Sequence, residues 1–412
     1  MDVVHERAVG IDISKRDAKV CVRVPGKKAG TFTSTVTTWG STTAQILKLR
    51  EFLVQQQVTV VVLESTSDYW KPFYYVMEDS LPVLLVNAKN ARNIPGRKTD
   101  VSDCAWLAQL GAYGLLRASF VPPEPIRQLR DLTRARTIAT QDRTREVQRL
   151  EKFLESSGIK LSAVATQLTG ASSRAMLEAL VGGERDPQVL AGLAKGRLKA
   201  KNAELVQALA GRFGDHDAFM TRSHLEQIDT LTDRIDQFTA RIEEAMAPFR
   251  HIRQALMTIP GASGTVAEVI LAEIGADMSV FATAAHLASW AGVSPGSNQS
   301  AGRVKSTRTM PGNKRLKGAL GIAALAASRS KKNTYLAVKY RRIAARRGRI
   351  KALVAIEHTI LIAVWNMLTT GEDFTDLGVD YYLRQDPEKA TKRAIRQLRT
   401  LGYEVAITPA AA

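Results

Sequence analysis

Cysteine is nearly missing: Cys21 and Cys104 are the only two in 412 residues, and they stand far apart in the chain. That excludes a disulfide scaffold and a cysteine-based zinc site, and it suits a reducing, cytoplasmic setting. The six histidines show no metal-ligand spacing. No apolar signal region follows Met1; Asp2, His5, Glu6 and Arg7 stand there instead. The longest apolar stretch, Leu353 to Leu368, is interrupted by Glu357 and His358, so no membrane span is expected. No long-period repeat is present. The most informative absence is of acid: between Asp277 and Glu357 there is no Asp or Glu, while the interval holds sixteen Lys and Arg.

That one interval accounts for most of the net charge of +18, from 58 basic and 40 acidic residues. Blocks of one sign are either flexible arms or interaction surfaces. Here the apolar run at 318–327 and the aromatics Tyr335 and Tyr340 lie inside the block, so it reads as folded helices facing nucleic acid, with a flexible basic arm as the alternative. Hydrophobic residues at 45% and charged residues at 24% exclude wholesale disorder, and the length suits two or three domains.

The first ~115 residues alternate strand and helix signals. Strands are expected at 8–13, 18–24, 31–36, 58–63 and 82–86, and helices at 42–56 and 100–116. The run at 58–63 is almost wholly apolar and β-branched, as in a central strand buried on both faces. Pro122, Pro123 and Pro125 punctuate the chain. An Arg-rich helix follows at 126–156, then a Gly- and Ala-rich helical stretch to about Gly214. Leu225, Ile228, Leu231, Ile235, Phe238, Ile242 and Ala245 next repeat at spacings of 3 and 4, as in a coiled-coil seam. Both an intramolecular hairpin with the 126–156 helix and an intermolecular coiled coil fit that pattern. The domains expected are 1–120 (α/β), 121–250 (helical linker and oligomerisation region), 251–375 (mostly helical) and a tail, 376–412.

Four carboxylates in the first domain carry the chemistry. Asp12 ends the first strand, Glu64 ends the central strand, and Asp100 and Asp103 open the following helix. In an open α/β sheet the strand ends converge on one crevice, and residues three apart share a helix face. Four clustered negative charges repel unless cations are bound, and Mg²⁺ is the natural partner of oxygen ligands. Two such ions can stabilise both the attacking and the leaving oxygen of a phosphodiester. Singly, each residue also has an ordinary reading as a turn residue, a helix-start charge or an N-cap pair.

Two further segments stand out. The IPGASG turn at 259–264 separates two apolar helices, and Gly261 and Gly264 there are candidates for backbone contact with phosphate; a tight helical corner is the structural alternative. A loop-rich stretch from Trp290 to Met310, rich in Ser and Gly, leads into a helix from Asn313. Serine needs activation to act as a nucleophile, and Ser300 is followed by Arg303, Lys305 and Arg308, which can neutralise a phosphate under attack. Lys314, Arg315, Arg341, Arg342, Arg346, Arg347 and Arg349 extend the nucleic-acid-binding surface.

In this order the pieces resemble the DEDD-type insertion-sequence transposases, some of which are bridge-RNA-guided recombinases. The resemblance spans about residues 5–370. It rests on GIDIS (10–14), Glu64, Asp100 and Asp103, IPG (259–261), ILAEIG (270–275), Trp290-Ala291-Gly292, Pro295, Ser300 and MPGNKRL (310–316). Two departures are visible: Ala301 follows Ser300 where glycine is usual, and Ser263 replaces a second glycine in the turn. The region 157–215 is longer than the family needs.

The resemblance implies a RuvC-like (ribonuclease H-like) α/β domain, a helical coiled-coil linker and a helical transposase domain. It implies Mg²⁺ on Asp12, Glu64, Asp100 and Asp103, and Ser300 as nucleophile. It also implies donor and target DNA and a guide (bridge) RNA as partners, and a homodimer or homotetramer whose serine meets the tetrad of another subunit. A RuvC-like junction nuclease that uses water, a non-catalytic nucleic-acid-binding scaffold and an actin-like ATPase are the alternatives. The last lacks an adenosine-site glycine motif.

Overall fold

The computed structural model describes residues 2–28, 30–87, 103–330, 332 and 334–408. It divides into two units, Met1–Val121 and Pro122–Ala412.

In the first unit, β1 (Ala8–Ile13), β2 (Asp17–Pro25) and β3 (Phe32–Gly40) form an antiparallel meander. Helix α1 (Thr43–Gln55) then crosses to β4 (Val60–Glu64), parallel to β1, and α2 (Trp70–Met77) leads to β5 (Val83–Val86), parallel to β4. The sheet order is β3-β2-β1-β4-β5. Every residue of β4 is buried, as its apolar run requires of a strand covered on both faces. On one face Ile11, Val61 and Leu63 pack with Leu49 and Leu53 of α1 and Phe73 and Met77 of α2. On the other, Ala8, Val60, Val62 and Val86 pack with Trp106, Leu107 and Leu110 of α3 (Asp103–Ala112). This is the α/β domain expected. Among the described residues, sequence reading missed α2, a short helix carrying Pro72 in its first turn. The two cysteines, distant in the chain, meet in one buried cluster with Ala108, and burial foremost, then Cys104, pushes the Cys21 thiol up to about 11.

The second unit is helical. Helix α4 (Glu124–Ser156) runs out, a small lobe follows, and α9 (Asp215–Ala245) returns antiparallel. Its direction is fixed at both ends. Ser157 Oγ donates to Asp217 at 2.5 Å and His224 Nδ1 meets Glu146 at 2.6 Å, while Ile126 and Leu129 pack with Ile242 and Met246. The coiled-coil seam is therefore an intramolecular hairpin: Leu225, Ile228, Leu231 and Ile242 are buried within it. The intervening lobe comprises α5 (Leu161–Val164), α6 (Ala171–Val181), α7 (Pro187–Gly192), a 3-10 turn (Gly196–Lys201) and α8 (Asn202–Leu209).

Beyond the hairpin come α10 (Arg250–Met257), α11 (Gly264–Ile274) and α12 (Ala284–Ala291), then a two-stranded hairpin, β6 (Asn298–Ser300) with β7 (Arg303–Ser306). Helices α13 (Lys314–Arg329), α14 (Tyr335–Arg347) and α15 (Arg349–Thr370) complete the bundle. By length and composition α15 could cross a membrane, yet Ile356, Ile360, Leu361 and Val364 lie buried in this bundle. The tail is anchored on α14: Asp376 accepts from the Tyr335 N–H at 3.0 Å, and Tyr381 and Tyr382 pack on the Tyr335 ring. The short α16 (Tyr381–Gln385) leads to α17 (Pro387–Thr400), which buries no residue.

Many arginines of α4 serve the interior. Arg134 binds both carboxylate oxygens of Glu273 at 2.7 Å, Arg136 meets Glu268 at 2.6 Å, and Arg130 donates to the Ala272 and Glu273 carbonyls at the end of α11. Glu273 is fully buried and also accepts from Asn313 Nδ2 at 2.8 Å. Burial by itself would raise its pKa, but the hydrogen bonds from Arg134 and Asn313 and the charges of Arg134 and Arg130 outweigh it, holding the carboxyl below the usual range. A carboxyl depressed in the folded state stabilises above its unfolded value of ~4.3, and that contribution is lost as pH falls through the lower folded value. Glu273→Gln is thus expected to cost about 3 kcal/mol near pH 7 and progressively less under acid, by denaturant melts at several pH values. This is the low end for a buried pair because Arg134 can turn to water.

Candidate active site and nucleic-acid interface

In the first unit the carboxylates are set by register and by one close approach. Ile11 pairs with Leu63 in the parallel β1–β4 ladder, so the next position sets Asp12 beside Glu64, on strands ~4.8 Å apart. Both alternate onto the face that carries Gly10 and Val62 and that α3 covers. Gly10 explains how closely the helix lies. A Cβ there would stand 2.1 Å from the Cys104 carbonyl and 2.4 Å from the Ala108 nitrogen, so only glycine lets the helix rest backbone to backbone on the strand.

The far end of α3 is tied to the start of the chain, since the Val4 and His5 N–H groups donate to the Ala112 carbonyl at 2.8 and 2.9 Å. The helix therefore runs against β1 and brings its first residue, Asp103, to the strand ends where Asp12 and Glu64 lie. Glu64 is buried, Asp12 and Asp103 half-buried. Asp100 lies outside the described residues. Among the described residues, no group of three or more His, Cys, Asp or Glu forms a ready metal cage. Asp12 and Glu64 are neighbours on one face of the sheet, and their carboxylate oxygens are the chemistry of a hard divalent ion.

In the second unit the segment expected as loop around Ser300 is a hairpin with a closed base. Ser300 and Arg303 are direct cross-strand partners, joined by a two-residue turn in which Ala301 (φ 49°) and Gly302 (φ 74°) are both left-handed. Alanine in that region costs about 1 kcal/mol or more. Below it, Gly292 and Gly312 close the base: a Cβ on Gly312 would stand 2.1 Å from the Ala291 carbonyl. The Trp-Ala-Gly and Gly-Asn segments, about twenty residues apart, thus meet backbone to backbone. Asn313 then caps α13, its Oδ1 accepting from Arg315 and Leu316, while its amide reaches Glu273. Ser300 sits exposed at the tip; Ser306 Oγ, by contrast, is engaged by the Arg308 N–H at 3.2 Å.

Arg303, Lys305, Arg308, Lys314, Arg341, Arg342, Arg346, Arg347 and Arg349 are exposed or nearly so and Arg315 is half-buried. The Arg342 guanidinium lies 4.4 Å over the Tyr382 ring, which ties the tail to the basic helix. Gly261 (φ +92°) is required by packing, since a Cβ would stand 2.3 Å from the Ala323 carbonyl of α13. Gly264 opens α11 beside Arg253, and Ser263 caps that helix through the Val266 N–H at 3.3 Å. The buried Glu273 and Glu268 pairs were missed by sequence reading, because those acids sit inside an apolar run that reads as core.

Residues 9–158 match the DEDD-type IS110 transposase family and residues 253–340 match the Transposase IS116/IS110/IS902 family. The chain is thus an insertion-sequence transposase, of a class that binds, cuts and rejoins DNA and works with a divalent metal. Within that class it belongs to the IS110 family. The insertion element IS900 uncharacterized 42 kDa protein of Mycobacterium paratuberculosis is 27% identical over 297 residues, covering 66% of this chain and 71% of that protein.

The basic helix gives a measurable expectation. Replacing Arg341, Arg342, Arg346 and Arg347 by glutamine should flatten the plot of log DNA affinity against log salt by about 3, from ~0.9 per phosphate contact less the share of Arg342 held on Tyr382. An unchanged slope would move the binding surface off α14.

Proposed function

We propose that this transposase exchanges strands between donor and target DNA under the direction of a guide RNA. Asp12, Glu64, Asp100 and Asp103 would hold Mg²⁺, which would supply charge stabilisation at a scissile phosphate. Ser300 Oγ attacks phosphorus, the sugar hydroxyl leaves with the proton, and a phosphoserine forms. The phosphodiester energy is kept in that bond, so a hydroxyl of the new partner strand reverses the step without ATP. Gly261 and Gly264 lend backbone contacts to phosphate, and the cations from Arg303 to Arg349 hold nucleic acid. The serine of one subunit serves the carboxylates of another, so the working species is a homodimer or homotetramer, acting in the cytoplasm.

The observation that carries this reading is Ser300: an exposed hydroxyl on a strained turn, opposite Arg303 and over a glycine-closed base, in a family of DNA-rejoining enzymes. A passive loop needs neither the turn nor the base. A water-using junction nuclease remains the second reading, because the carboxylates alone would support it. For the guide, RNA co-purifying with the protein should match DNA flanking its gene, and RNase treatment should stop recombination. Undiminished recombination after complete RNase digestion would contradict RNA guidance.

A further inference from the structure

The lobe at 158–213 lies outside both family matches but for its first residue. It is not a loose insertion. Leu161, Leu177, Leu190, Leu205 and Leu209 form one core with Leu154 of α4 and Leu225 of α9, so the lobe is fixed to the tip of the hairpin. On its surface Lys195 and the 3-10 turn Gly196–Lys201 present four exposed cations, Lys195, Arg197, Lys199 and Lys201, while Leu198 among them packs toward the core.

No acidic residue occurs between Asp186 and Glu204. Two other cations of the lobe are neutralised, Arg174 by Glu178 and Asp229 and Lys160 by Glu155. None of the four on the turn forms an ion pair among the described residues; Lys201 reaches only the Val164 carbonyl, at 3.5 Å. Four like charges within seven residues repel one another and are relieved by a polyanion. Phe213, the aromatic of the lobe, is buried, so no ring on this surface can stack an unpaired base. That favours the backbone of duplex DNA over single-stranded RNA.

We infer that the lobe is a second DNA-docking surface, on which Lys195, Arg197, Lys199 and Lys201 hold the phosphate backbone of duplex DNA without reading its sequence. The 31 residues of α9 carry it about 46 Å from the base of the hairpin, at 1.5 Å per residue. At 3.4 Å per step that is about 14 base pairs, so the arm would steady duplex beyond the DNA held by the basic helices. The inference rests on the family's action on DNA, and on neither the guide RNA nor Ser300.

The test is a binding measurement that requires no cleavage, so it stands apart from the serine mechanism. The protein with Lys195, Arg197, Lys199 and Lys201 all changed to glutamine is titrated with a 60-base-pair duplex and with guide RNA at several salt concentrations. The DNA salt slope should flatten by up to about 3.6, or 0.9 for each of four contacts, with affinity at 100 mM salt down at least ~10-fold. RNA binding and the unfolding temperature should be unchanged. Ala200→Glu, one acid placed among the cations, should weaken DNA binding in the same direction. An unchanged DNA slope in both variants, or a loss confined to RNA, would overturn the inference.

Discussion

Asp103→Asn should reduce DNA cleavage by on the order of 10³-fold or more and leave DNA and RNA binding within a few-fold. A ligand to a catalytic metal is being asked for about 4 kcal/mol of transition-state stabilisation, which is a factor of roughly 10³. Binding should survive because the exposed cations of α14 and β7 belong to the other unit. Folding should survive too: the residues that dock α3 on the sheet are Cys104, Leu107 and Ala108 against Gly10. Asp12→Asn should match it. Gly10→Ala is a useful contrast, because its Cβ would push α3 off β1 and damage cleavage and stability together. Recombination at the wild-type rate by Asp103→Asn, measured with Mg²⁺ present, would remove the carboxylates from the mechanism.

Ser300→Ala should assemble the full protein–nucleic acid complex yet neither nick nor join DNA. The residue is exposed and no packing depends on its hydroxyl, so a fall in melting temperature is not expected. Cysteine at 300 should retain weak activity, since a thiolate attacks without a strong base. Ser297→Ala and Ser306→Ala are the controls: Ser306 already engages the Arg308 N–H, and its loss should loosen the hairpin rather than abolish the reaction. If Ser300→Ala still cuts DNA, water is the attacker and the junction-nuclease reading takes over.

Much of this was legible from residue order alone. The apolar β-branched run gave β4, its terminal Glu64 could be set beside Asp12, and the spacings of 3 and 4 gave α9. Periodicity fitted a hairpin and an intermolecular coil alike, and the two are not exclusive. The hairpin turns on polar contacts such as Glu146 with His224, which join residues 78 apart.

The β6–β7 hairpin was invisible because all its residues are exposed, so no apolar alternation marks it as a strand. The join between Gly292 and Gly312 was equally hidden, since it is made of backbone and leaves only glycine in the sequence. Glu273 read as an oddity in an apolar helix, and its partners Arg134 and Asn313 lie 139 and 40 residues away.

The proposed mechanism would carry DNA covalently on Ser300 during strand exchange. Wild-type protein with its guide RNA and Mg²⁺ should be incubated with a nicked or mismatched substrate, quenched in denaturant and digested, and the DNA-bearing peptide sequenced. A phosphodiester between DNA and Ser300, absent from the Ser300→Ala protein, is the predicted result. Cleaved DNA with free ends and no peptide attached, at every time sampled, would contradict it.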